Sequence, residues 1–284
     1  MQTMTTQVFP DTRLWLQASL PGVFVVIPTY NEASNLPVLA RQIFSQSIPN
    51  LHLVVVDDQS PDGTGEVAEQ LAWLHPGRVH VIHRSGKAGL GTAYREGFRY
   101  ALEQDADYII QMDADFSHSP NYLPQLLESM QWAEVAVGSR YVTGGKLDPS
   151  WSWQRNLLSR WANSVYVRLI LGLQVQDATA GFKCWSRRAL AEILEQPVSS
   201  SGYIFQVEMA YLAEKLGLRV KEIPIFFEDR RQGLSKMSNS VKLEAVWRPW
   251  VLRWRYRSVH PNRQGIPGGM HTELAETGRK AVED

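Results

Sequence analysis

Residues 108–120 read YIIQMDADFSHSP. An apolar run ends and two carboxylates follow, Asp113 and Asp115, with only Ala114 between them. Side chains on an extended strand alternate between its faces, so carboxylates at i and i+2 just past a buried strand are expected to project the same way. Two uncompensated carboxylates on one side repel and raise one pKa unless a cation shares the space. A divalent metal with hard oxygen ligands meets that need. Mg²⁺ or Mn²⁺ takes one or two carboxylates and fills its shell with substrate phosphates and water.

The apolar half of the stretch is one of five. VFVVI (23–27), LHLVVV (51–56), VHVIH (79–83), YIIQM (108–112) and VAVG (135–138) are short, rich in β-branched residues and nearly continuous in apolarity, as strands buried on both faces are. Helical spacing follows them. Leu36, Leu39, Ala40, Ile43 and Phe44 recur at helix period after a candidate cap at Ser34, and Leu123, Leu126, Leu127 and Met130 repeat the pattern. Strand alternating with helix predicts an α/β fold with a parallel sheet and helices on both faces.

Open sheets of this kind bind ligands beyond the carboxyl ends of their strands. The sequence there is PTYNE (28–32), DDQSPDGT (57–64), RSGKAGLG (84–91), DADFSH (113–118) and GSR (138–140). Charge therefore converges on one rim. Taken singly, Asp57 and Asp58 read as a strand end before a Ser-Pro-Asp-Gly turn. GKAGLG is spaced GxxGxG, a weak match to a dinucleotide fingerprint. His83 and His118 read as surface or packing histidines, because no second His or Cys stands at metal-site spacing.

The composition limits the partners. With 44% apolar residues in 284, the chain can bury a substantial core, and Lys plus Arg and Asp plus Glu are each 29, so no net field draws it to nucleic acid. Cys184 is the only cysteine, which excludes an intrachain disulfide and a thiolate zinc cluster and suits a reducing compartment. No secretory signal pattern opens the chain, and no apolar run reaches the roughly 18 residues of a bilayer span.

PTYNE, VVVDDQSPDGT, GLGTAYREG, the DAD of DADFSH, VGSRY, DATAGFK and PIFFEDRRQGLSKM occur in that order between about Val23 and Met237. Together they resemble the family 2 glycosyltransferases of GT-A fold, and within them the dolichol-phosphate and polyprenol-phosphate mannose synthases. The GT-A resemblance implies a Rossmann-like, mostly parallel sheet. The resemblance implies an inverting mannosyl transfer from GDP-mannose to the phosphate of a polyprenyl or dolichyl lipid, with release of GDP and with Mg²⁺ or Mn²⁺ as cofactor. It implies a nucleoside pocket lined by Pro28, Tyr30, Glu32, Val56 and Asp58. Asp113, Ala114 and Asp115 would lie against the diphosphate and metal. Asp115 is the expected metal ligand, with Ser117 where some relatives have Gln. Arg140, Arg230 and Lys236 match the basic positions that would meet the diphosphate, and Asp113, Asp115 and Arg140 would carry the chemistry. Arg155 and Ser159 match positions for the acceptor phosphate. Asp177 is open between a sugar contact and a loop brace.

Residues 1–21 read as an N-terminal extension, 22–240 as the GT-A domain, 241–258 as an amphipathic segment and 259–284 as a mobile tail. Leu157, Trp161, Val165 and Leu169 form a helical stripe read as core packing. In VWRPWVLRWRYR (246–257), Trp247, Trp250, Val251 and Trp254 fall on one face with Arg248, Arg253, Arg255 and Arg257 beside them. That pattern suits a peripheral contact with a membrane surface, provided the helix begins at Pro249. The expected place of work is the cytoplasmic face of a membrane, without a transmembrane helix.

Other readings stay open at this stage. A related family 2 enzyme would use another donor, such as UDP-glucose, on polyprenyl phosphate. A dehydrogenase or methyltransferase would share the βα pattern, but the turn after the first strand is PTYNE rather than glycine-rich. A membrane-recruited nucleotide-binding module without catalysis would not need the acidic pair.

Overall fold

The computed structural model describes residues 20–149, 166–202, 204–228 and 239–261. The N-terminal half alternates as expected: β1 (Val23–Thr29), α1 (Leu36–Phe44), β2 (Leu51–Asp57), α2 (Thr64–Leu74), β3 (Val79–His83), α3 (Leu90–Glu103), β4 (Tyr108–Gln111), α4 (Leu123–Ser129) and β5 (Val135–Ser139). The rest comprises β6 (Lys146–Leu147), α5 (Arg168–Leu171), β7 (Lys183–Ser186), α6 (Arg187–Leu194), α7 (Ile204–Lys215), β8 (Val220–Pro224), β9 (Phe226–Phe227) and α8 (Asn239–Arg255).

Seven strands form one sheet in the order β3-β2-β1-β4-β7-β5-β8, and β6 pairs with β9 beside it. Neighbours run parallel except β7, which is antiparallel to both β4 and β5. The sheet is thus mostly parallel, with one reversed strand inside it. In the register, Thr29 lies beside Asp57 and Asp57 beside His83, so the carboxyl ends of β1, β2 and β3 finish level on one rim.

Alternate strand residues feed two cores. Val25, Ile27, Val55, Ile110 and Cys184 pack with Leu36, Leu39 and Ile43 of α1 and Leu123 and Leu126 of α4. Val26, Val54, Val56, Ile109 and Trp185 pack with Tyr94 and Phe98 of α3, Leu190 of α6 and Phe205 and Met209 of α7. The α3 backbone lies close on this second face, because a Cβ at Gly97 would overlap Val26 Cγ1.

Three local expectations differ. Helix α1 begins at Leu36 with Asn35 at its cap, and the Asn35 amide donates to Glu32 at 2.7 Å; Ser34 is not the cap. Helix α8 starts at Asn239, so Pro249 is interior rather than in the first turn. An interior proline costs about 3 kcal/mol, but Leu252 and Tyr256 are both fully buried against the α7 layer, and that packing outweighs the penalty. Leu169, read as core, is 74% exposed, because α5 is a short turn that buries Ile170 and Leu171 instead. Leu157, Trp161 and Val165 lie outside the described residues, as do residues 1–19 and 262–284.

Candidate active site

The first two rim loops are strapped together. The Asn31 backbone N–H donates to Ser60 Oγ at 3.1 Å, Glu32 N–H to Thr64 Oγ1 at 2.9 Å and Ala33 N–H to Asp62 at 3.1 Å. Asp57, 2% exposed, accepts from Thr29 Oγ1 at 3.0 Å and from Ser60 Oγ at 2.6 Å. It is a brace. Asn31 and Gln59 sit in the left-handed region with φ of 62° and 54°, a strained geometry that such strapping holds in place.

Asp58 is ion-paired with Arg84, whose guanidinium also reaches Glu96 at 2.9 Å and Thr92 Oγ1 at 2.7 Å. Burial pushes the Asp58 carboxyl up, and Arg84 offsets this only in part. Tyr30 is half-buried at the same end, with Lys87 Nζ 4.1 Å from its ring centroid. Pro28 and Glu32 are half-buried there as well. Val56 is fully buried under α3, so any contact it makes with a nucleoside goes through its backbone.

The acidic pair lies past the strand, because β4 ends at Gln111 and residues 113–118 form a turn with Phe116 at φ 63°. Strand alternation therefore does not aim the carboxylates; side chains do. The Tyr94 hydroxyl donates to Asp113 Oδ1 at 2.7 Å, and Ser117 donates its backbone N–H at 3.1 Å and its hydroxyl at 2.6 Å to Asp115 Oδ1. His118 accepts from the Asp113 backbone N–H at 3.2 Å through Nδ1 and stacks on Phe182. Burial lowers the His118 pKa and Asp113 and Asp115 only partly offset it, so it serves as a neutral turn brace. Burial, then Asp113, drives the Tyr94 pKa well above its ordinary value, keeping the proton on the phenol.

Arg140 completes the rim at the end of β5. Its Nε donates to Asp177 Oδ2 at 2.7 Å, and its Nη2 to Asp177 Oδ1 at 2.6 Å and Thr179 Oγ1 at 2.7 Å. Asp177 is wholly buried, and its backbone N–H donates to Glu222 at 3.0 Å. Burial opposes both charges, yet the pair outweighs it: Asp177 is held below the usual carboxylate range and Arg140 more firmly protonated. Asp177 is thus a loop brace that aims Arg140. The flat guanidinium also lies 5.1 Å from the rings of Tyr141 and Phe227.

The structure brings Tyr30, Glu32, Asp58, Asp113, Ala114, Asp115, Ser117 and Arg140 to one rim. Arg155, Ser159, Arg230 and Lys236 lie outside the described residues. Sequence reasoning missed Arg84, Tyr94 and the Arg140–Asp177 pair. Arg84 and Tyr94 stood inside quoted motifs but carried no spacing that marked them. The glycines of GKAGLG have another use. Gly91 N–H donates to Ser201 O at 2.7 Å, and neither Gly89 nor Gly91 has room for a Cβ against residues 200–201. They permit a backbone contact with the loop that leads into α7.

Among the described residues, no group of three or more His, Cys, Asp or Glu forms a metal cage. The available donors are oxygens of Asp113, Asp115 and Ser117, a hard set that fits Mg²⁺ or Mn²⁺ with the shell completed by phosphate and water.

A mostly parallel α/β sheet whose strapped loops at the carboxyl rim carry the Asp113–Asp115 turn and Arg140 has the architecture of a GT-A fold. The glycosyl transferase family 2 model matches residues 24–194, and the chain belongs to that family. It is 43% identical over 243 residues to the polyprenol monophosphomannose synthase of Mycolicibacterium smegmatis, covering 85% of this chain and 90% of that protein. It is 44% identical over 232 residues to the undecaprenyl-phosphate mannosyltransferase of Micrococcus luteus, covering 82% and 93%. The fold also matches the glucosyl-3-phosphoglycerate synthase of Mycobacterium tuberculosis, solved with Mn²⁺, UDP and glucosyl-3-phosphoglycerate. That match has a TM-score of 0.60 at 17% identity and covers 87% of this chain and 86% of the other.

Proposed function

We propose that the chain transfers mannose from GDP-mannose to the phosphate of a polyprenyl lipid, with inversion at the anomeric carbon and release of GDP. The observation that carries the reading is the conjunction of the aspartate turn with Arg140 on one rim, in a chain more than 40% identical to a polyprenol monophosphomannose synthase and an undecaprenyl-phosphate mannosyltransferase. Pro28, Tyr30, Glu32, Asp58 and the Val56 backbone take the nucleoside. Asp113 is oriented by Tyr94 toward the sugar and diphosphate, and Asp115 with Ser117 holds Mg²⁺ or Mn²⁺. When bound, that cation supplies charge neutralisation for the departing diphosphate.

Arg140 supplies a fixed positive charge at the same rim, pre-aimed by Asp177, so little reorganisation is needed as the leaving group gains charge. Arg230 and Lys236 extend this field in the same reading, and Arg155 with Ser159 takes the acceptor phosphate. That phosphate is already an anion near neutral pH, so no strong general base is required.

The acceptor lies at headgroup level, and we infer that the chain works at the cytoplasmic face of a membrane as a peripheral protein. Trp247, Trp250, Trp254 and Leu169 are 51%, 57%, 68% and 74% exposed, while Leu252 and Tyr256 on the other side of α8 are buried. Helix α8 packs against α5 and α7, so its exposed tryptophans and Leu169 lie in one neighbourhood. No helix among the described residues is long and apolar enough to cross a bilayer.

Thermal melting with nucleotides tests the donor site directly. GDP with Mn²⁺ should stabilise the protein by about 2.7 kcal/mol at a hundredfold excess over Kd, and GDP with EDTA or UDP with Mn²⁺ should do far less. Equal stabilisation by UDP would move the reading to another donor.

A further inference from the structure

Lys183 is wholly buried at the rim end of β7, in the middle of the sheet. Its neighbours in register are Gln111 on β4 and Val137 on β5. Burying an ammonium is costly, and packing alone would be served by Met or Leu. The ammonium has definite partners: Nζ donates to the Ala180 carbonyl and to Gln206 Oε1 at 3.0 Å. Gln111, across the ladder, donates to the Gly181 carbonyl at 3.1 Å and to the same Gln206 oxygen at 2.6 Å. Trp185 Nε1 fixes Gln111 in turn, at 3.2 Å.

These contacts converge on the loop 176–181, which is held at both ends. At its start, Gln176 and Asp177 donate their N–H groups to Glu222 of β8 at 2.8 and 3.0 Å. At its end, Lys183 and Gln111 hold the carbonyls of Ala180 and Gly181. Between these anchors stand Asp177 and Thr179, which grip Arg140. Gly181 itself abuts the acidic turn, since a Cβ there would lie 3.1 Å from Asp113 Oδ2. A shift of this loop would move Arg140 and crowd Asp113 together.

We propose that Lys183 is a positioning residue for the transfer, fixing the 177–181 loop so that Asp177 and Thr179 keep Arg140 aimed at the departing diphosphate. Wholly buried, it acts through the loop it holds. The burial that this position imposes lowers the Lys183 pKa to about 7, against the pull of Asp177. Charged or neutral, the amine still donates to both oxygens. The proposal rests on the reading of Arg140 as a donor-site group, and the experiment separates the two.

The test is a double-mutant cycle in the full chain, with kcat and donor KM measured for Lys183→Met, Arg140→Lys and the pair, and folding checked by a cooperative melt. Lys183→Met should lower kcat at least tenfold with donor KM within threefold. In the Arg140→Lys background, which has already lost the forked pairing, it should lower kcat less than twofold further. A Lys183→Met protein with wild-type kcat, or with the same fold-loss in both backgrounds, overturns the proposal. Wild-type kcat in Arg140→Lys alone overturns the donor-site reading instead. If Lys183→Met does not fold, Gln111→Met, which frees the Gly181 carbonyl, must show the same kcat-selective loss, and wild-type kcat there overturns the proposal.

Discussion

The Tyr94 hydroxyl donates to Asp113 at 2.7 Å from a ring with no exposed surface, so a helix on one face of the sheet sets the direction of a carboxylate on the rim. Tyr94 also stacks on Phe205 of α7 with ring centroids 6.0 Å apart, which fixes the donor in turn. Tyr94→Phe keeps that stacking and removes only the hydrogen bond. A bond to a charged acceptor contributes roughly 1.5–3 kcal/mol to stability, so the variant should melt a few °C lower, and kcat/KM should fall about tenfold or more as Asp113 loses its orientation. Steady-state kinetics beside a thermal melt checks both halves.

Asp115→Asn keeps the shape of the side chain and removes the charge that the metal reading requires. Turnover should drop by several powers of ten if the cation supplies several kcal/mol of transition-state stabilisation. Transfer within tenfold of wild type, at saturating Mn²⁺, would remove Asp115 from the metal site.

Removing Asp177 leaves the buried Arg140 guanidinium without its partner, a loss of roughly 3–5 kcal/mol. Asp177→Ala should therefore melt about 10 °C lower. The folded-state pKa of Asp177 lies below its ordinary value of 3.8. Its stabilisation is thus complete above about pH 4 and is lost as pH falls below that. Wild type should show an acid-dependent fall in melting temperature there that Asp177→Asn lacks.

A second acid-sensitive feature lies on the outer strands. His52 Nδ1 and His80 Nε2 are 3.2 Å apart, His52 Nε2 meets Asn50 Oδ1 at 3.1 Å and Tyr100 meets His80 Nδ1 at 2.9 Å. Burial lowers both pKa values below 6.5, and for His52 the neighbouring His80 adds to the effect. The unfolded chain then binds more protons, so stability is full above pH 6.5 and declines as pH falls toward the folded-state values. Melts at pH 7.5 and 5.5 should differ more for wild type than for His52→Phe. An equal difference would mean that the pair carries no pH dependence.

The surface of α8 makes a prediction that the structure sharpens. Arg253 and Arg255 reach the carbonyls of Ile170 and Pro197, and the Trp250 indole meets Tyr166, so these three side chains help hold the helix to the body. Trp247 and Trp254 instead face outward with Arg248 and Arg257 against their rings. Trp247→Ser with Trp254→Ser and Arg257→Glu should reduce co-sedimentation with anionic liposomes at least tenfold and leave GDP binding unchanged. Undiminished sedimentation would shift the search to the stripe that ends at Leu169.

Much of this architecture was legible because periodicity is a local property. β-branched runs marked the first five strands, and the rule that open sheets bind ligands past the carboxyl ends of their strands made the rim the place to search. The motifs mark Asp58, Asp113, Asp115 and Arg140, which the strand ends carry to that rim. What stayed hidden was pairing at a distance. Asp177 and Arg140 are 37 residues apart, and nothing local in DATAGFK says which cation its carboxylate meets. β7 escaped notice because KCWS begins with lysine, whose burial depends on Gln111 and Gln206 from other elements. Pro249 misled for a related reason, since the packing of Leu252 and Tyr256 decides that helix.

The central claim is tested most directly by mass spectrometry of the lipid product. Purified chain with GDP-mannose, polyprenyl phosphate and Mn²⁺ should yield a polyprenyl phosphate bearing one hexose, with GDP released in equal amount, and neither should form with EDTA or with Asp115→Asn. Hexosylated lipid formed from UDP-glucose but not from GDP-mannose, or no lipid product with either donor, would contradict the account.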